Sequence, residues 1–240
     1  MRDIQASTGK IIKNLSQIRE KINSISSSFK PEIMGVIKYA SDEDILSAAQ
    51  AGIKIMGESR VQDAADRWAK PQFSEIRNSL DLHFIGRLQS NKISKAVKIF
   101  DSIDSVDSLE IAEKINQKIS TGKKYPIMIQ LKINSAPSQA GIEEKDFPKL
   151  YERIKALANI SLRGIMAIGP ISEKKEELSE AFMKAKKIYD SYFSETVNED
   201  GFRNYLSMGM SSDFETACEA GSSLIRIGSA LFERDSGGKQ

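Results

Sequence analysis

With 240 residues, 35 Lys+Arg against 33 Asp+Glu and a formal net charge of only +2, the chain lacks the excess that a whole-surface grip on nucleic acid or an anionic membrane requires. Its 40% hydrophobic and 28% charged residues are those of a globular protein with a sizeable core, one large domain or two small ones. A single Cys, Cys218, and a single His, His83, exclude an internal disulfide framework, a multi-cysteine metal site and a two-histidine zinc centre.

The first thirty residues read as one helix. Ile4, Ile11, Leu15, Ile18, Ile22 and Ile25 recur at steps of seven, four, three, four and three, which places them on one helical face. The Ser26-Ser27-Ser28 cluster and Pro31 predict its end. Charged and polar residues stand at the start where a signal peptide would be apolar, and no apolar run approaches the roughly 20 residues that cross a bilayer. A cytoplasmic location is expected.

Short apolar runs then alternate with helical spacing. Strands are predicted at 33–37, 53–56, 82–85, 100–103, 127–133, 162–168, 205–208 and 224–227. Most are continuously apolar, as strands buried on both faces should be. The run 127–133 alternates instead, with Gln130 and Lys132 opposite Ile129, Leu131 and Ile133. Phe147, Leu150, Ile154 and Leu157 mark one intervening helix; Leu178, Phe182, Ala185 and Ile188 mark another. Eight strands alternating with helices predict an α/β fold, a single (β/α)8 TIM barrel with an extra N-terminal helix; a doubly wound open sheet is the alternative. No repeat or linker divides the chain. It is expected to be one domain over 1–240: helix 1–30, barrel 31–232 and tail 233–240.

Barrel active sites lie at the C-terminal ends of the strands, with anion sites favoured after strands 7 and 8. Lys38, directly after Met34-Gly35-Val36-Ile37, is either a solvated strand-end lysine or a desolvated amine able to act as a nucleophile. Ser207-Met208-Gly209-Met210-Ser211-Ser212-Asp213 offers hydroxyls and backbone N–H groups to an anion, or a helix cap through Ser211, Ser212 or Asp213. Arg226-Ile227-Gly228-Ser229 ends the eighth strand. Arg226 among apolar neighbours needs an acceptor, from a ligand or from one of the chain's carboxylates. His83, at the start of the third strand, reads as a satisfied core residue.

Together these segments resemble the pyridoxal-phosphate-binding homeostasis proteins of the YggS/PROSC type, whose barrel is similar to the N-terminal barrel of alanine racemase. The resemblance runs through Val36-Ile37-Lys38, Gly57-Glu58-Ser59-Arg60-Val61-Gln62 and His83-Phe84-Ile85-Gly86-Arg87-Leu88-Gln89-Ser90-Asn91-Lys92. It continues through Ser105-Val106-Asp107-Ser108, Leu162-Arg163-Gly164-Ile165-Met166, Leu206-Ser207-Met208-Gly209-Met210-Ser211 and Arg226-Ile227-Gly228-Ser229-Ala230. It implies that Lys38 carries pyridoxal 5′-phosphate as a Schiff base. It also implies that Ser211, Gly228 and Ser229 hold the phosphate near the Met210 backbone, and that Arg226 faces the pyridine nitrogen.

The chain departs from the family pattern in four places. Ala40 stands in a stretch where many members carry a second lysine. Ser59 replaces an asparagine that often lies near the cofactor, and Lys132 replaces an asparagine. Gln139 stands where a lysine is usual. Lys132 is therefore a candidate extra cation in the pocket. The resemblance implies a cytoplasmic PLP homeostasis protein without robust turnover and with no catalytic residues or metal. Its expected partners are the cofactor and apo PLP-dependent enzymes, with neither nucleic acid nor membrane, and its expected state is a monomer or weak homodimer. Alternatives are a PLP-dependent amino-acid racemase or decarboxylase, a sugar-phosphate enzyme, and an apo interaction protein. Racemases and decarboxylases normally add a second domain, and only about a dozen residues follow the eighth strand here.

Overall fold

The computed structural model describes residues 2–25, 30–134, 139–193 and 195–232, and side chains from residue 8 onward within these spans. Eight parallel strands close into a barrel in chain order. They are β1 (Glu32–Val36), β2 (Ile55–Glu58), β3 (Asp81–Phe84), β4 (Ser102–Val106), β5 (Tyr125–Lys132), β6 (Ile160–Ile168), β7 (Tyr205–Met210) and β8 (Leu224–Ile227). Helix α1 (Arg2–Ser24) precedes them. The connections carry α2 (Asp42–Gln50), α3 (Val61–Trp68), α4 (Ser74–Arg77), α5 (Ile93–Ile99), α6 (Leu109–Asn116), α7 (Phe147–Lys155), α8 (Lys175–Tyr192) and α9 (Phe214–Glu219). The short α10 (Ser229–Phe232) follows β8. The expected barrel is thus present and the open sheet is excluded. The expected tail, 233–240, and the serine cluster after α1 lie outside the described residues.

Two strands start later than expected. Ile53 and Phe100 are buried, but each ends a helix rather than joining the sheet: Ile53 N–H donates to Ala48 O, and Phe100 N–H to Ala96 O. Hydrophobicity marks what is buried, not where a ladder begins.

The two faces of the sheet form separate apolar layers. Met56, Leu82, Phe84, Ile103, Ile127, Ile129, Leu206, Ile225 and Ile227 pack outward against the helices. Met34, Ile55, Met128, Tyr205 and Leu224 pack on one another inside the barrel, with Ile85 against them. Alternation along each strand produces both layers. Helix α1 buries Ile11, Leu15, Ile18 and Ile22 and packs on α2, α9 and α10. Asn14 Nδ2 donates to Leu231 O at 3.0 Å and thereby ties α1 to α10.

Charged groups fill the barrel's N-terminal end. His83 is fully buried, with Nδ1 2.6 Å from Asp104 Oδ2 and Nε2 3.0 Å from Asp81 Oδ2. Ser102 Oγ donates to the other Asp104 oxygen at 2.7 Å. Arg163 pairs with Asp81 at 3.4 Å and lies over the Tyr205 ring. Glu32 pairs with Arg203 and accepts from Tyr205 Oη. His83 is the core residue that its position predicts, but only Nδ1 is satisfied by a hydrogen bond: Nε2 faces Asp81 as an ion contact and has no hydrogen-bond partner.

Burial alone would lower the imidazole pKa; Asp104 and Asp81 outweigh it and raise it to about 9. Burial likewise pushes Asp81 up, but His83 and Arg163 win and hold it well below the carboxylate range. His83 titrates near 6.5 when unfolded. Its contribution is therefore complete below about pH 6.5 and is lost as pH rises through about 9. Denaturant unfolding should show stability falling across that window by roughly 2–4 kcal/mol. His83→Gln should be less stable at neutral pH and lose that slope; an unchanged slope would contradict the assignment.

Candidate functional site

The strands deliver their C-terminal ends to the opposite mouth. On β1, Met34 faces the interior, and Lys38 follows in the same two-residue phase. Residues 37–40 make a tight turn: Ala40 N–H donates to Ile37 O at 3.1 Å, and Ile37 N–H donates to Gly57 O of β2 at 3.0 Å. Lys38 and Tyr39 are the exposed crest, with the Lys38 Nζ 5.1 Å from the Tyr39 ring centre. Among the described residues Lys38 has no carboxylate partner.

The turn after β7 meets the end of β8. Gly209 adopts φ +93, and a Cβ there would lie 2.6 Å from that of Ala217, so only glycine lets the turn sit on α9. Ser211 Oγ accepts two backbone N–H groups, those of Gly228 and Ala230, each at 3.2 Å. The alternative helix cap is not formed by these side chains: Asp213 makes no cap bond to α9 and instead accepts Met210 N–H at 2.5 Å. Burial pushes the Asp213 carboxyl up, against the pull of Met210 N–H and Arg226. Gly228 leaves its position open; a Cβ there would meet Val36 only at ordinary contact distance, 3.6 Å, and would occupy that space. Ser229 is exposed beside it.

Arg226, deeper in the barrel, is 4% exposed. Its Nη1 donates to Ser207 O and Oγ at 2.8 and 2.9 Å, and its Nη2 to Ala167 O at 2.9 Å. These acceptors replace the ion pair with a carboxylate that its sequence context also allowed. Burial lowers the guanidinium pKa to about 10, with Asp104 and Asp213 offsetting part of the effect.

Ser59, after Glu58, keeps the interior phase of Ile55 and Gly57. Lys132, the last residue of β5, pairs with Glu143 at 3.0 Å, so it does not add an uncompensated cation to the pocket. Gln139 Nε2 donates to Ile168 O at 3.0 Å, which anchors the β5–α7 loop to β6.

The mouth therefore holds a primary amine, two convergent N–H donors sharing one hydroxyl acceptor, and a buried cation fixed by neutral acceptors. Taken separately, the N–H donors suit an anionic group, the guanidinium a neutral acceptor and the amine an electrophilic carbon. Two pairs escaped the sequence reading. Asp104 shares its strand phase with Ser102, an alternation hidden in a short run, and nothing local connects it to His83. Glu58 pairs with Arg67 of α3, and only the fold joins them.

The sequence matches the family model for the alanine racemase N-terminal domain over residues 9–235. It is 32% identical over 228 residues to the pyridoxal phosphate homeostasis protein of Pasteurella multocida, covering 92% of this chain and 96% of that protein. It is 33% identical over 230 residues to the protein of the same name from Escherichia coli K12, covering 92% and 95%. The fold is similar to PipY of Synechococcus elongatus, solved with PLP bound, at TM-score 0.77 and 29% identity, covering 92% of this chain and 99% of that one.

A Cβ on Gly86 would lie 2.2 Å from Ser59 O, so any side chain there must displace the end of β2. Gly86→Ala should cost about 3 kcal/mol or more in denaturant unfolding, at or above the usual overpacking range. A loss below about 1 kcal/mol would show that the mouth yields easily.

Proposed function

The chain belongs to the family of the alanine racemase N-terminal domain and, within it, to the pyridoxal phosphate homeostasis proteins, and on that premise we propose that it holds pyridoxal 5′-phosphate at the barrel mouth. The observation that carries the reading is the convergence of the Gly228 and Ala230 N–H groups on Ser211 Oγ. An anionic oxygen accepts such donors more strongly than a hydroxyl does. When bound, the cofactor supplies an aldehyde carbon, a pyridine nitrogen and a phosphate.

Lys38 offers the amine for the aldehyde carbon. Ser211, Gly228 and Ser229 take the phosphate, with the Met210 backbone beside them, and Ser59 lines the wall. Arg226 faces the ring nitrogen. With a pKa near 10 it remains charged at neutral pH and donates without surrendering its proton. It leaves the ring nitrogen unprotonated and the ring a weak electron sink, which favours storage over amino-acid chemistry. Tyr39 and Met210 stand exposed beside the cradle, 79% and 38%. Their exposure supports hand-over to an apo PLP-dependent enzyme docked over the mouth. No helix among the described residues is long and apolar enough to cross a membrane, and we assign the carrier role to the cytoplasm.

The purified protein should show a visible cofactor band that Lys38→Ala lacks. Ser211→Ala should weaken the phosphorylated aldehyde by about 1–3 kcal/mol and leave the unphosphorylated aldehyde unchanged. Equal effects on both would refute the clamp.

Incubated with L-alanine or L-ornithine, the loaded protein should racemise or decarboxylate far more slowly than the usual enzyme range of about 1–10³ s⁻¹. A rate within that range, followed by chirality and carbon dioxide release, would replace the carrier reading with a racemase or decarboxylase.

A further inference from the structure

The turn that presents Lys38 is fastened at both ends to neighbouring parts of the fold. Its first residue, Ile37, donates its N–H to Gly57 O of β2. Its last, Ala40, accepts at its carbonyl from Arg67 Nη2 at 3.5 Å. Arg67 Nε also lies 3.7 Å from Asp42 Oδ1, at the start of α2. Ile37 and Ala40 are buried, and Lys38 and Tyr39 between them are exposed. Arg67 is held in turn by Glu58, whose Oε1 pairs with its Nη1.

Glu58 follows Gly57, so two consecutive residues of β2 reach the two ends of the turn: Gly57 directly and Glu58 through Arg67. Glu58 is fully buried and lies in the outward phase of β2 with Met56, away from the interior positions Ile55 and Gly57. It therefore acts on the mouth through the turn and not by touching a ligand. Its Oε2 has no hydrogen-bond partner. Burying a carboxylate is a poor route to stability, because an apolar residue of similar size usually serves as well or better. A half-satisfied buried carboxylate directly behind the site is better explained by what it positions.

We propose that Glu58 and Arg67 are positioning residues that fix the Lys38 turn so that its amine meets the cofactor aldehyde; this rests on the assignment of Lys38 above. The step they assist would join the Lys38 nitrogen to the aldehyde carbon as a C=N bond and break the C=O bond, the oxygen leaving as one water with the two hydrogens of the neutral amine. A displacement of about 1 Å in such an encounter can cost on the order of 10²-fold.

The test uses pyridoxal 5′-phosphate as the probe. Growth of the visible band is followed by stopped flow, and borohydride fixation with peptide mapping identifies the lysine modified. Arg67→Met and Glu58→Gln should each slow the band at least about tenfold and shift label from Lys38 to other lysines. Arg67→Lys, which keeps the charge opposite Glu58 but not the fork to Ala40, should recover part of the rate. Ile154→Val, a core truncation in α7 remote from the turn, should lower the melting temperature and leave the rate unchanged. A wild-type rate and labelling pattern in either folded variant, Arg67→Met or Glu58→Gln, would overturn the positioning role and leave Lys38 in place. Wild-type protein labelled on a lysine other than Lys38 would overturn both.

Discussion

Lys38 and Gly228 come from opposite ends of the chain, and the hydrogen-bonded seam between β1 and β8 brings them together. The seam pairs Glu32 with Leu224, Ile33 with Ile225, Met34 with Arg226 and Gly35 with Ile227. Register is decisive because strand side chains alternate. A slip of one residue would send Arg226 outward while Lys38 kept its place, and amine, cradle and cation would no longer share one opening. Helix α1 reinforces the seam from outside, through its buried apolar face and the bond from Asn14 to Leu231.

The two ends of the barrel use charge in opposite ways. At the N-terminal end His83, Asp81, Asp104, Arg163, Glu32 and Arg203 are matched to opposite charges, and the network closes the interior. At the mouth Arg226 is buried with its hydrogen bonds to carbonyls and a hydroxyl, Asp104 and Asp213 acting on it only at longer range, and the Ser211 hydroxyl receives two N–H donors. Groups bonded to neutral partners keep their charge to offer a ligand, whereas the groups below are matched to one another.

The departures from the family pattern acquire local meanings in this geometry. Lys132 is matched by Glu143, Gln139 bonds to the end of β6, and Ala40 lends its carbonyl to Arg67. None of them intrudes on the convergence of Ser211 with Gly228 and Ala230. The two donors that meet at Ser211 Oγ are backbone N–H groups, which these side-chain departures leave in place.

Much of this was legible along the chain. Most strands declared themselves by apolar runs between helical stretches, because burial on both faces favours apolar side chains; 127–133 and Ser102-Ile103-Asp104 alternate all the same. Lys38, Ser211 and Arg226 stood out as polar residues where apolar strands end. The sequence alone thus determined the elements, their order and the residue types available at the mouth. Tertiary structure decided which of them meet. It turned Ser211 from a possible helix cap into the acceptor for Gly228 and Ala230, answered Arg226 with Ser207 and Ala167, and joined Asp104 to His83 and Glu58 to Arg67. These partners are separated by a helical crossover or, as with Glu58 and Arg67, lie on a strand and on the helix that folds back over it. Periodicity reports which face of an element a residue occupies; only closure and packing report what lies opposite.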